Sequence, residues 1–270
     1  MGAKSERPTR RVVIGLEPAM LDAAALAAAA QLARSAGVEL AALFVEDSNL
    51  LRLASLPFAL EMGAASAARR RMEATDIERA LKVQAAQLKR ALAEAAQRLE
   101  LQWTFEVARG QGLRVLLEWT GASDIVVLAG GAGRPPWQPA LEALLRGAFS
   151  FERPPPGRVA VVLGSGTEAL RVLSVAHALA QASDAELVLL VAGAKTRAGE
   201  IAKRAAAWLR ERGAAARVAL LPDRAPARIA ELVARERAQA LFLPGADQEL
   251  SSVEISALAS VINCPLIFVR

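Results

Sequence analysis

The same short phrase occurs twice in this chain. Arg11-Val12-Val13-Ile14-Gly15-Leu16-Glu17-Pro18 opens it, and Arg158-Val159-Ala160-Val161-Val162-Leu163-Gly164-Ser165-Gly166 repeats it 147 residues later. Each is an apolar run, then a glycine-containing turn, then an alanine- and leucine-rich segment with helical character. An apolar run without polar alternation suits a strand covered on both faces, as in a parallel sheet flanked by helices. The repeat predicts two tandem doubly wound α/β units, Rossmann-like in architecture. The first is expected over 1–153 and the second over 158–270, joined through Pro154-Pro155-Pro156-Gly157.

The first unit reads as strand 11–16, a well-buried helix 22–35 stopped by Gly37, and strand 40–45 ending in Glu46-Asp47. An insert over 48–100 follows. It begins with a short helix and turn broken by Pro57 and continues as a long helix over 69–100. Ile77, Leu81, Ala85, Leu88, Leu92, Ala95 and Leu99 recur at steps of three and four, which makes one narrow apolar stripe on a charged helix. Such a stripe either covers the sheet or pairs with another subunit. Strand 101–107, helix 113–119, strand 124–129 and a helix over 140–149 complete this unit, which has no fifth strand of its own. That place falls either to 159–163 or to some other element at the edge. The second unit reads more regularly, with strands 159–163, 187–191, 217–221, 240–243 and 266–269 between helices 167–182, 199–212, 225–237 and 251–261.

Composition narrows the function. Hydrophobic residues make up 54% of the chain and aromatics only 4%, with no Tyr, so the core must be built from Ala, Leu and Val. The net charge is +5, but the arginines are spread along helices among glutamates, and Arg69-Arg70-Arg71 has no aromatic neighbour for base stacking. No nucleic-acid partner is expected. One cysteine, Cys264, and one histidine, His177, exclude an intrachain disulfide and a Cys/His metal cluster. No run approaches the ~18 apolar residues of a membrane helix, and 12–16 is too short for a signal-peptide core. The expected setting is the cytoplasm, away from membranes.

Several loops carry residue types suited to ligands. In parallel sheets these sit at the carboxyl ends of the strands. Gly130-Gly131-Ala132-Gly133-Arg134 offers free backbone N–H groups and a cation for phosphate, or an ordinary glycine turn. Glu17 and Glu46-Asp47 end strands on the same rim, either accepting ribose hydroxyls or simply solvated. Gly164-Ser165-Gly166-Thr167-Glu168-Ala169 fits a dinucleotide pattern, yet Val191-Ala192-Gly193 stands where the ribose-binding acid belongs. Asp124 reads as a strand-leading residue without chemistry, His177 as a core histidine and Cys264 as a small packed residue. No nucleophile–base–orienter set is visible.

Together, residues 12–18, Leu43-Phe44-Val45-Glu46-Asp47, 125–133 and Asn263-Cys264-Pro265-Leu266-Ile267-Phe268-Val269 resemble the universal stress proteins, in tandem form, over nearly the whole chain. The resemblance implies parallel five-stranded units that dimerise. In nucleotide-binding members it implies ATP held by an acid after the first strand, backbone at the end of the second and a G-x2-G-x9-G-[S/T] loop after the fourth. Carried over, Glu17 takes the acid's place, Val45 the adenine-contacting position, and Gly130 and Gly133 the G-x2-G, flanked by Gly131 and Arg134. Gly147 takes the later glycine after thirteen intervening residues, with Ala148 in place of Ser or Thr. In the second unit Gly164 replaces the acid and Gln248 stands three residues after Gly245. The expectation is a non-enzymatic stress-response or signalling protein that holds ATP or AMP in its first unit and forms a homodimer. The alternatives are a nucleotide-free dimeric scaffold working through an unknown protein partner and, resting on 164–169, an NAD(P)-linked enzyme.

Overall fold

The computed structural model describes residues 11–16, 23–56, 60–62, 69–71, 74–130, 157–164, 168–193, 195–245 and 251–270. Its strands are β1 (Arg11–Leu16), β2 (Glu39–Asp47), β3 (Leu60–Met62), β4 (Arg69–Arg71), β5 (Trp103–Gly110), β6 (Ile125–Leu128), β7 (Arg158–Leu163), β8 (Glu186–Ala192), β9 (Ala216–Leu221), β10 (Ala238–Pro244) and β11 (Leu266–Val269). Its helices are α1 (Ala23–Ala36), α2 (Ser48–Ala54), α3 (Ala74–Leu99), α4 (Gly112–Trp119), α5 (Ala169–Ser183), α6 (Lys195–Arg210), α7 (Pro226–Arg235) and α8 (Ser252–Val261).

The expected pair of parallel sheets is realised as one continuous 9-stranded sheet, in the order β5-β2-β1-β6-β11-β10-β7-β8-β9. Every described neighbour pair in it is parallel except β6 and β11. These two run antiparallel, with Leu128 opposite Leu266 and Ile125 opposite Val269. The missing fifth strand is thus supplied by β11, which pairs with β10 on its other side. Four consecutive apolar residues, Leu266 to Val269, are buried because both edges and both faces of β11 are covered.

Two apolar layers sandwich the sheet. Alternate strand residues such as Val12, Ile14 and Leu16 face α1, α3, α5 and α6. Their neighbours, such as Val13, Leu43 and Val45, face α4, α7 and α8. Over the β6–β11 seam, α1 packs on α5 on one side and α4 on α8 on the other. Small side chains make the first of these contacts close: Ala29, Ala33 and Ala176 are fully buried. Small residues thus let the helices approach closely in a core with so few aromatics.

The long helix is shorter than its periodicity suggested. Residues 69–71 form β4, paired antiparallel with β3 so that Arg70 lies opposite Glu61, and α3 starts only at Ala74. The apolar repeat starts at Ile77, so nothing in the pattern required Arg69 to Arg71 to be helical. Leu81, Ala85, Leu88, Leu92 and Ala96 are buried against the sheet. The stripe therefore covers the sheet of its own chain.

Arg270 fastens the seam. Its Nη1 donates to the Leu117 carbonyl (2.7 Å), the Thr120 carbonyl (3.0 Å) and Thr120 Oγ1 (2.7 Å), which places a cation on the C-terminal carbonyls of α4. Its backbone N–H donates to the Asp124 carbonyl. Buried Asp124 in turn accepts from Arg11 Nε (3.1 Å) and the Gly121 N–H (2.8 Å), the strand-leading role expected of it. Arg11 also stacks over the Trp119 ring at 4.2 Å.

Two stability measurements follow from this packing. Arg270→Ala should lower the unfolding free energy by about 1–3 kcal/mol in urea titration, because it strips charged donors from buried carbonyls. Leu88→Ala should cost about 2–5 kcal/mol, against less than about 0.5 kcal/mol for Val83→Ala on the exposed side of the same helix. Equal effects at 83 and 88 would mean that α3 does not lie on the sheet as described.

Candidate functional site

In the order β5-β2-β1-β6 the chain runs from β1 outward to β2 and β5 and then crosses back to β6 on the other side of β1, which opens a crevice at the carboxyl ends of β1 and β6. A slot of about 620 Å³ lies there. Gly15, Val45, Leu128 and Ala129 form its floor, and Gln111 with the start of α4, as far as Leu116, lines one side. The other side is α8, through Val253, Ser256, Ala259 and Ser260. Asp47 and Asn49, at the β2–α2 turn, close one end.

Local chemistry explains the open space. A Cβ on Gly15 would lie 2.6 Å from Leu116 Cδ2, so glycine in β1 lets α4 settle on the sheet and keeps the floor shallow. Asp47 accepts a 2.8 Å hydrogen bond from the Asn49 N–H and caps α2. Arg114, at the mouth, is mostly exposed and pairs with Glu118.

The sequence candidates separate accordingly. Val45 is buried on the floor of the slot. Gly130 directly follows the lining residue Ala129. A Cβ there would lie 2.5 Å from the Cys264 carbonyl oxygen and 2.7 Å from that of Ile262, so this glycine is required by close backbone packing beside the seam. Glu17, Gly131, Gly133, Arg134 and Gly147 lie outside the described residues, as do 165–167 of the dinucleotide-like loop and the linker prolines. The Glu46-Asp47 pair splits. Asp47 reaches the slot, whereas Glu46 is nearly buried and held by Arg109 at 3.0 Å, with Glu78 on the far side of that arginine.

Residues on α4 and α8 were not legible as a site. Gln111 and Ser256 belong to no motif and lie 145 residues apart. Only the β6–β11 pairing brings their helices into contact.

His177 is buried on α5, as its surroundings suggested. Its ring meets Trp208 edge-on at 5.9 Å, and Arg212 lies over Trp208 at 3.8 Å. Burial first, and the Arg212 charge second, hold the imidazole below its ordinary value of 6.5. Cys264 is free and buried.

No protein-family model matches the chain. No curated protein matches it either. Solved structures do. A universal stress protein from Archaeoglobus fulgidus superposes over 96% of this chain and 98% of its own, with a TM-score of 0.54 and 10% identity. Another universal stress protein from that organism, solved in complex with dAMP, matches 43% of this chain and 98% of its own at 18% identity. Its TM-score of 0.37 is too low to carry a ligand across. The full-length match shows the universal stress protein fold, and a fold does not by itself specify a ligand.

Two outcomes are expected here. Gly130→Ala should destabilise the protein by about 1–3 kcal/mol with no ligand present, since the added methyl meets backbone; an unchanged melting temperature would dispose of the close-packing explanation. For His177, the folded state holds the neutral ring. Its contribution to stability is complete above about pH 6.5 and is lost as the pH falls below that value, because the unfolded chain then binds the extra proton. Urea midpoints should therefore fall from about pH 7 to about pH 5, and His177→Phe should flatten that slope. Identical slopes in both proteins would exclude His177 as the source.

Proposed function

We propose that this chain is a universal stress protein-like signalling or stress-response protein that holds an adenine nucleotide in the slot above β1, β2 and β6. One observation carries the reading. The slot lies at the switch point of the parallel strands, the place where doubly wound sheets bind ligands, and Val45 is on its floor. Its volume of about 620 Å³ suits a nucleoside. Its apolar floor can take the flat face of a purine, and its polar rim can meet the base edge and ribose. The fold shared with a full-length universal stress protein supports the same reading.

The proposal assigns binding without turnover. Asp47, the carboxylate that lines the slot among the described residues, is engaged in capping α2. Response to a nucleotide then comes from occupancy. The tandem division near 153–158, the cytoplasmic setting and assembly as a homodimer belong to the same proposal. For a homodimer, the α3 stripe cannot supply the interface, because it is buried in its own chain.

The test is thermal unfolding of the purified protein with ATP, AMP and NADH added separately. A ligand at a hundredfold its dissociation constant adds about 2.7 kcal/mol of stability. ATP or AMP should raise the melting temperature and NADH should not. A shift with NADH alone would replace this reading with the dinucleotide one, and no shift with any nucleotide would leave the scaffold alternative.

A further inference from the structure

The slot is built from both ends of the chain. Its floor and its α4 wall come from residues 15–129, but α8 comes from beyond residue 250. The α8 residues that line it are spaced three, three and one apart, so Val253, Ser256, Ala259 and Ser260 form one continuous helical face. Ala259 is buried, which fixes how far the helix stands from the floor. A capping box fixes where the helix begins: the Ser251 hydroxyl accepts from the Glu254 N–H, and the Glu254 carboxylate accepts from the Ser251 N–H at 2.8 Å.

Three exposed polar residues from three elements line this space: Asn49 on α2, Gln111 before α4 and Ser256 on α8. None of them makes a side-chain hydrogen bond with a described residue, whereas Ser260 donates to the Ala257 carbonyl at 2.7 Å. Two amides and a hydroxyl supply donors and acceptors without charge. That set suits the edge of a base or a ribose hydroxyl.

We infer that α8 is an integral wall of the ligand slot and that Ser256, with Asn49 and Gln111, selects the uncharged nucleoside part of the ligand. This deepens the nucleotide reading and rests on it. A bound nucleoside touches α4 and α8 together, across the β6–β11 seam. Occupancy therefore ties together the two parts of the sheet, so the slot can report ligand to the 158–270 segment.

The experiment is direct binding of adenosine and of ATP to the full chain by titration calorimetry. Ser256→Trp places a bulky ring in the slot from an exposed helix position. Ala257→Trp places the same ring on the next residue, which does not line the slot, and serves as the control. Ser256→Ala removes one hydroxyl with no bulk. The expected result is binding of both ligands by the wild type and by Ala257→Trp. Ser256→Trp should weaken binding at least about tenfold, as obstruction of one wall requires, and Ser256→Ala about three- to tenfold, the range of one hydrogen bond. Wild-type affinity in both Ser256 variants would overturn the α8 wall while leaving nucleotide binding intact. No binding of either ligand by the wild type would overturn the nucleotide reading and this inference with it. Should Ser256→Trp fold poorly by circular dichroism, Ser256→Ala decides.

Discussion

The antiparallel ladder between β6 and β11 is the contact on which the rest of the molecule depends. A four-residue strand as apolar as Ile125 to Leu128 cannot be left as an edge without exposing unpaired backbone groups to association. Pairing with β11 removes that edge and makes one sheet of nine strands. It also fixes which helices meet over the junction, α1 with α5 and α4 with α8. The slot between α4 and α8 is a direct consequence, since neither the 11–130 nor the 158–270 segment contains both of its walls.

Charge and backbone packing hold this junction in register. Arg270 reaches the C-terminal turn of α4, and the shared neighbour Asp124 links it to Arg11. Gly130 allows the chain leaving β6 to lie against the backbone of Ile262 and Cys264. An interaction that orders the seam also orders the slot, and the reverse holds for a ligand that spans it. A nucleotide bound as proposed would then couple its binding to the stability of the junction.

Much of this fold was legible in the sequence because its strands are buried on both faces. Arg11–Leu16 and Leu266–Val269 have the same bounds in the sequence reading and in the structure, since uninterrupted apolar runs between turn residues leave little choice. Residues 69–71 were misjudged because charged residues before a helical repeat carry no period of their own; pairing with β3 decided their conformation. The partner of β6 could not be read either. An apolar strand specifies burial, not which neighbour provides it, and β11 is some 140 residues away. Among the residues that line the slot, Val45 was singled out through its place at the end of β2, whereas Ser256 was not, because its position there depends on that distant pairing. Glu46 and Asp47 show how parity decides surroundings: adjacent residues point to opposite faces, one to an ion pair with Arg109 and one to the slot.

The measurement that bears most directly on this account is backbone amide hydrogen exchange, residue by residue, along β6 and β11 in the ligand-free protein. With β1 on one side and β11 on the other, the amides of Val126 and Val127 lie inside the sheet. The account predicts that these amides, and those of Ile267 and Phe268, exchange only through global unfolding. Fast exchange at alternate residues of β6, the mark of an edge strand, would contradict the seam and with it the shared slot.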